Sequence, residues 1–174
     1  MINVLAVAGL PGSGKTTVAR IIERRGYLYY SLGDVVRAEA ERRGLTPDKT
    51  AVTMRLERGR KAVIYELLKS VKPGEKVVID GIRSIEEVEA LEEFLGTVFL
   101  IYVVASRKVR YQRLTGRGRS DDPLSFSQFL LRDLRELRFG LADLLSRADY
   151  IIVNETKSIE ELEQEIGKVL LELR

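Results

Sequence analysis

Short apolar runs alternate with amphipathic stretches from one end of the chain to the other. Asn3–Ala8, Tyr27–Tyr30, Lys76–Ile79, Val98–Val104 and Asp149–Val153 read as strands. The runs at Val77–Ile79 and Val98–Val104 are nearly continuous, as in strands covered on both faces. Helical periodicity fills the intervals: Lys15–Arg25, Asp34–Arg43, Pro47–Val71, Ile85–Leu95, Arg107–Leu114, Leu124–Arg147 with a break near Gly140, and Ile159–Leu173. Strand and helix in repeated alternation predict an α/β domain, a parallel sheet between two helical layers. Ser84-x-x-Glu87 and Ser158-x-x-Glu161 have the spelling of capping boxes, and Thr46-Pro47 and Asp122-Pro123 set a capping residue before a proline at the first helical position. Ile159, Leu162, Ile166, Val169, Leu170 and Leu173 form a stripe expected in the core, and Tyr27, Tyr29 and Tyr30 are expected to pack in a strand.

The first strand runs into Gly9-Leu10-Pro11-Gly12-Ser13-Gly14-Lys15-Thr16, which spells G-x-x-x-x-G-K-T at the start of a helix. Such a loop aims backbone N–H groups and the positive end of the helix dipole at one point. Gly9, Pro11, Gly12, Ser13, Gly14 and Thr17 then surround phosphate, Lys15 reaches the β- and γ-phosphates, and the Thr16 hydroxyl holds Mg²⁺. The full spelling after a strand separates this from an ordinary glycine turn and predicts binding of ATP or a similar triphosphate. A second strand ends in Asp80-Gly81-Ile82-Arg83, where Asp80 suits a metal shell and Arg83 a phosphate clamp.

Composition narrows the chemistry. The 174 residues suit one domain; 45% are hydrophobic and 32% charged, and no apolar run approaches the ~18 residues that cross a bilayer. With no cysteine there is no disulfide or thiolate metal site, and cytoplasm is the expected location. With no histidine, acid–base and metal chemistry falls to Asp, Glu, Lys and Arg. Abundant Glu, Lys and Arg beside few Asn matches heat-adapted chains. A net charge of +3 suits an anionic ligand and is mild for a nucleic-acid binder. The basic run Arg110, Arg113, Arg117, Arg119 and Arg132 is interrupted by Asp121-Asp122, which points away from a polyanion track and toward ion pairs that orient the arginines.

Ser31-Leu32-Gly33-Asp34-Val35-Val36-Arg37 resembles the S/T-x-G-D-x-x-R segment of adenylate kinase and related nucleoside-monophosphate kinases. Arg113-Leu114-Thr115-Gly116-Arg117 and Arg119-Ser120-Asp121-Asp122 resemble the two ends of that family's lid, and Ala148-Asp149-Tyr150-Ile151-Ile152-Val153-Asn154 its last strand. The likeness spans nearly the whole chain in motif order and is closest to archaeal adenylate-kinase-related or dephospho-CoA-kinase-like P-loop proteins.

The resemblance implies a three-layer α-β-α P-loop NTPase fold with five parallel strands in the order 2-3-1-4-5. It also implies an acceptor-binding helical segment at about 34–71, a short lid at about 113–122, and γ-phosphoryl transfer from ATP. Lys15, Arg83, Arg117 and Arg119 then act on the transferring group, with Asp34 as a possible base. Ser31, Gly33, Arg37, Gly81, Arg83, Glu87 and Arg132 surround a small phosphate-bearing acceptor such as AMP, and Arg113 and Asn154 lie on the nucleotide side. Two departures stand out. Asp80–Arg83 is one residue shorter than the D-G-F-P-R of adenylate kinases, and Glu87 stands where they carry a glutamine that reads adenine. A carboxylate lacks the amide's donor–acceptor pair. Dephospho-CoA kinase-like transfer to a sugar hydroxyl, and a nucleotide-responsive binder or weak NTPase with a protein or RNA partner, are the alternatives.

Overall fold

The structure, a computed structural model, describes residues 2–119 and 121–173; Ser120 of the expected lid motif, Met1 and Arg174 lie outside it. Five strands, β1 Val4–Ala8, β2 Leu28–Ser31, β3 Val77–Ile82, β4 Val98–Val104 and β5 Tyr150–Val153, form one parallel sheet in the order β2-β3-β1-β4-β5. Alternate residues of β1 feed opposite cores. Leu5 and Val7 pack with Val78, Ile101 and Ile152 against α1 (Lys15–Glu23) and α9 (Ile159–Glu172). Val4, Ala6 and Ala8 pack with Ile79 and Leu100 under α2 (Leu32–Arg43), α3 (Pro47–Arg58), α4 (Ala62–Leu68) and α5 (Ile85–Leu95). This is the three-layer α/β P-loop fold. No helix among the described residues is long and apolar enough to cross a membrane.

Several sequence expectations need correction. The Pro47–Val71 pattern is two helices, divided at Gly59, whose φ of 84° ends α3. The helix expected after Asp122-Pro123 is α7 (Phe126–Arg138), capped by Ser125, because Asp122 already accepts from the Arg119 N–H and from Arg117. A short 3₁₀ turn (Leu141–Asp143) and α8 (Leu144–Arg147) follow Gly140. Ser158 and Glu161 make a reciprocal capping box at α9, whereas the Glu87 side chain reaches the Arg83 N–H and leaves only half of one at α5. Ile159 begins the α9 stripe but is exposed, and the buried part of the stripe starts at Leu162. β3 runs on through Gly81 to Ile82, with a register shift opposite Val7 and Ala8. That bulge re-aims the chain beside Asp80, the usual service of a bulge near a site.

Candidate functional site

The loop between β1 and α1 sits at the carboxyl end of the sheet, backed by α6 (Arg107–Arg117). Backing and loop are in such contact that a Cβ on Gly12 would stand 2.6 Å from the Arg110 carbonyl oxygen. One on Gly14, whose φ is 98°, would stand 2.2 Å from Asn154 Nδ2. Glycine is required at both. Arg113 donates to the carbonyls of Gly12 and Ser13 at 3.3 Å and to that of Asn154 at 2.9 Å. Arg110, buried, grips both carboxylate oxygens of Asp133 at 2.8 and 2.7 Å and donates to the Pro11 carbonyl at 3.2 Å. The carbonyls of Pro11, Gly12 and Ser13 are therefore held by arginines, and the Ser13 N–H closes the turn on the Leu10 carbonyl at 3.1 Å. A cleft of about 210 Å³ opens there, lined by Gly12, Gly14, Lys15, Thr16, Thr17, Arg113, Arg117 and Arg119.

Thr16 Oγ1 donates to Asp80 Oδ2 at 2.7 Å, joining the two residues expected at a metal. Tyr29, expected only to pack, also donates to Asp80 Oδ2, at 2.9 Å, and carries the Arg20 guanidinium 3.6 Å from its ring centroid. Burial and the Asp80 charge push the Tyr29 hydroxyl up, so it remains a donor. Burial draws the Lys15 ammonium down to about 8 against the opposing pull of Asp80, with Arg83 adding to the fall.

At the same end of the sheet the Ser31–Arg37 and Asp80–Arg83 turns, expected to take an acceptor, adjoin. The Cβ position of Gly33 lies 3.3 Å from the Arg37 guanidinium; that of Gly81 lies 3.9 Å from Arg83 Nη1 and 4.0 Å from the Gly33 nitrogen. Ser31 caps α2 by accepting from the Asp34 N–H, and Asp34 pairs with Arg37 at 2.5 Å in an exposed contact. Arg83 donates from Nε to Glu136 and from Nη1 to the Gly81 carbonyl at 3.1 Å. Burial pushes the Glu136 carboxyl up, but Arg83, Arg135 and Lys15 outweigh it and hold the carboxyl at about 2.

Comparison with known proteins places this chain in a family. A family model described as "AAA domain" matches residues 8–126, from the end of β1 to the start of α7. A UPF0200 protein of Thermococcus sibiricus is 40% identical over 181 residues, covering 94% of this chain and 95% of its own. One from Aeropyrum pernix is 45% identical over 168 residues, covering 93% and 89%. The chain belongs to the UPF0200 family. Among solved structures, TT1252 from Thermus thermophilus superposes with a TM-score of 0.65 at 22% identity over 98% of this chain and 97% of its own. A sugar kinase from Janibacter sp. HTCC2649 gives 0.60 at 17% over 98% and 95%. At those identities the structures share the fold alone.

Not every expected site residue of this UPF0200 chain faces the clefts. Glu87 is fully enclosed: it accepts from Arg55 Nη2 and from the Arg83 N–H, each at 2.7 Å, and has no surface for a nucleotide base. Asn154 is buried with its Nδ2 on the Ser13 carbonyl at 2.8 Å, so it props the loop from beneath rather than meeting adenine. Arg117 pairs with Asp122, and Arg132 donates to the Asp121 carbonyl at 2.9 Å. Tyr29, Asp133 and Glu136 enter the site without having been expected. For Asp133 and Glu136 the signal was their place on one helix face with Phe129; for Tyr29 it was strand register, Ser31 lying opposite Asp80 in the pairing of β2 with β3.

The residues fit Mg²⁺. Asp80 is buried and, among the described residues, its Oδ1 has no hydrogen-bond partner. No group of three or more carboxylates placed to hold a metal ion occurs among the described residues. A hydroxyl beside one carboxylate suits an ion that takes its remaining ligands from phosphate and water.

Proposed function

We propose that this UPF0200 protein is an ATP-dependent phosphotransferase that moves the γ-phosphoryl group to a small phosphate-bearing acceptor, a nucleoside monophosphate. One observation carries the reading: a second pair of arginine-bearing turns, at Arg37 and Arg83, adjoins the Thr16–Asp80 pair. Two further guanidinium groups at that edge suit a second anionic substrate better than binding or hydrolysis of a triphosphate alone.

Lys15 and the loop N–H groups hold the β- and γ-phosphates. Thr16 and Asp80 would hold Mg²⁺, which supplies charge neutralisation across the phosphates. Arg37 and Arg83 hold the acceptor phosphate, one of whose oxygens attacks the γ-phosphorus as its bond to the ADP oxygen breaks. That acceptor is already anionic and needs no base. Arg117, Arg119 and Arg132 face the charge that spreads over the equatorial oxygens, released from Asp121 and Asp122 when phosphate competes for them. Base selectivity is weak, because Glu87 is enclosed.

The test is to incubate purified protein with Mg²⁺·ATP and a panel of nucleoside monophosphates and dephospho-CoA, with chromatography of the products. A diphosphate product that vanishes in Lys15→Ala is expected. Product only from a hydroxyl acceptor, lost in Asp34→Asn, would move the reading to a sugar-hydroxyl kinase. Absence of any product refutes both.

A further inference from the structure

Asp80 is held from two elements at one oxygen. Thr16 on α1 and Tyr29 on β2 both donate to its Oδ2, at 2.7 and 2.9 Å. Its Oδ1 is buried and, among the described residues, has no hydrogen-bond partner. The two donors differ in kind. Thr16 belongs to the phosphate loop and would itself hold the ion, so its hydroxyl has a second claim on it. Tyr29 arrives by strand pairing. It lies opposite Val78 in the parallel ladder of β2 and β3, and Val78 and Asp80 share one face of β3. The tyrosine ring spans that interval and its hydroxyl ends on the carboxylate. Arg20, one turn on from Thr16 along α1, lays its guanidinium 3.6 Å from the ring centroid. Both oxygens of Glu23 hold that guanidinium, at 3.1 and 2.9 Å. The ring is thus covered by a cation that has its own anchor.

We propose that Tyr29 is a positioning residue for the metal: its hydroxyl holds the Asp80 carboxylate in the rotation that leaves Oδ1 to the Mg²⁺ shell. The inference rests on the Mg²⁺·ATP part of the function proposed above. A carboxylate has two equivalent oxygens and a broad torsion about its last bond. With Thr16 as its single donor it could swing about one contact and present either oxygen. A second donor on Oδ2, from a different element, removes that freedom. The bare Oδ1 then has its reason, because a buried carboxylate oxygen without a donor is costly unless a cation or its water completes it. Groups that orient a metal ligand in this way are worth about ten- to a hundredfold in metal affinity.

Tyr29→Phe deletes the hydroxyl and keeps the ring under Arg20. The probe is ATP, titrated calorimetrically against the full chain with excess Mg²⁺ and again with a chelator. Tyr29→Phe is expected to lose about tenfold in affinity with Mg²⁺ and none in the chelator. In the Asp80→Asn background the same substitution should change neither titration, since the hydroxyl acts through that carboxylate. If Tyr29→Phe keeps the full gain from Mg²⁺ while Asp80→Asn loses it, the proposal is overturned and the metal site stands. Equal weakening of both titrations, or a loss that persists undiminished in Asp80→Asn, makes Tyr29 a packing residue and also overturns it. If Asp80→Asn itself keeps the gain, the ion lies elsewhere, and the proposal falls together with the metal assignment beneath it.

Discussion

Burial brings the Lys15 ammonium down to about 8, so it stays mostly protonated at neutral pH and loses its proton in mild base. Triphosphate should bind the protonated form and raise that pKa. Affinity for Mg²⁺·ATP is therefore expected to be flat below pH 8, then to fall as pH rises, approaching tenfold per unit. Titrations from pH 6.5 to about 10 check this, and Lys15→Arg should remove the slope, since a guanidinium keeps its proton. Glu136 acts on the same group from a distance, its charge raising the Lys15 pKa. Glu136→Gln should move the fall in affinity to lower pH. It should also cost about 3 kcal/mol of stability, because Arg83 and Arg135 lose a buried counter-charge, an unfolding temperature lower by about 6–12 °C. The sign with pH follows from the depressed carboxyl: its contribution is full above 4.5 and lost as pH falls toward about 2, so the variant's stability should fall less steeply in acid. Lys15, Thr16 and Asp80 were legible in the sequence because the loop spelling and a strand end fix where they stand. Glu136 and Tyr29 were not, since a carboxylate on a leucine-rich helix and a tyrosine in a strand read as solvated and packed until tertiary contact brings Arg83 and Asp80 to them.

Among the elements, the loop and helix α6 form one unit, and two glycine substitutions should separate its parts. Gly12→Ala sets a methyl against the Arg110 backbone, which cannot turn aside, so α6 or the loop must move and triphosphate binding should be lost. Gly14→Ala meets an Asn154 side-chain nitrogen instead. The double variant Gly14→Ala, Asn154→Gly should regain part of the binding, short of wild type by the cost of a left-handed alanine, about 1–2 kcal/mol, and of the lost Asn154–Ser13 hydrogen bond, about 1 kcal/mol. Calorimetric titration of ATP against the three variants reads both outcomes; rescue of Gly12→Ala by any side-chain truncation would refute the distinction. Element boundaries followed the sequence where a local cap was legible: Thr46 and Ser158 each accept from the N–H three residues on, whereas α2 starts at Leu32, ahead of the expected Asp34, because Ser31 caps it. They departed where a capping residue had a stronger partner, as Asp122 does in Arg117. Periodicity reports which residues share a face; contacts alone decide which face is buried.

At the scale of the molecule, the strand order explains why distant segments meet. With β1 central and β3 beside it, the glycine loop, Asp80 and the Arg83 turn emerge at one sheet edge, and β4 on the other side delivers α6 with Arg113. None of these groups is assembled in an unfolded chain, so a ligand that joins them binds the native state alone. At a hundred times its dissociation constant ATP should stabilise the protein by about 2.7 kcal/mol, raising the unfolding temperature by about 5–11 °C. Lys15→Ala should abolish that shift. The metal separates by a second contrast. Because Thr16 and Tyr29 both donate to one oxygen of Asp80 and leave the other without a partner, Mg²⁺ should add to the ATP shift in the wild type. In Asp80→Asn the increment from Mg²⁺ should vanish while part of the shift with ATP and a chelator remains. An Asp80→Asn protein that still gains the full Mg²⁺ increment would place the ion elsewhere at this edge, and would detach the Thr16–Asp80 pair from the chemistry proposed for it.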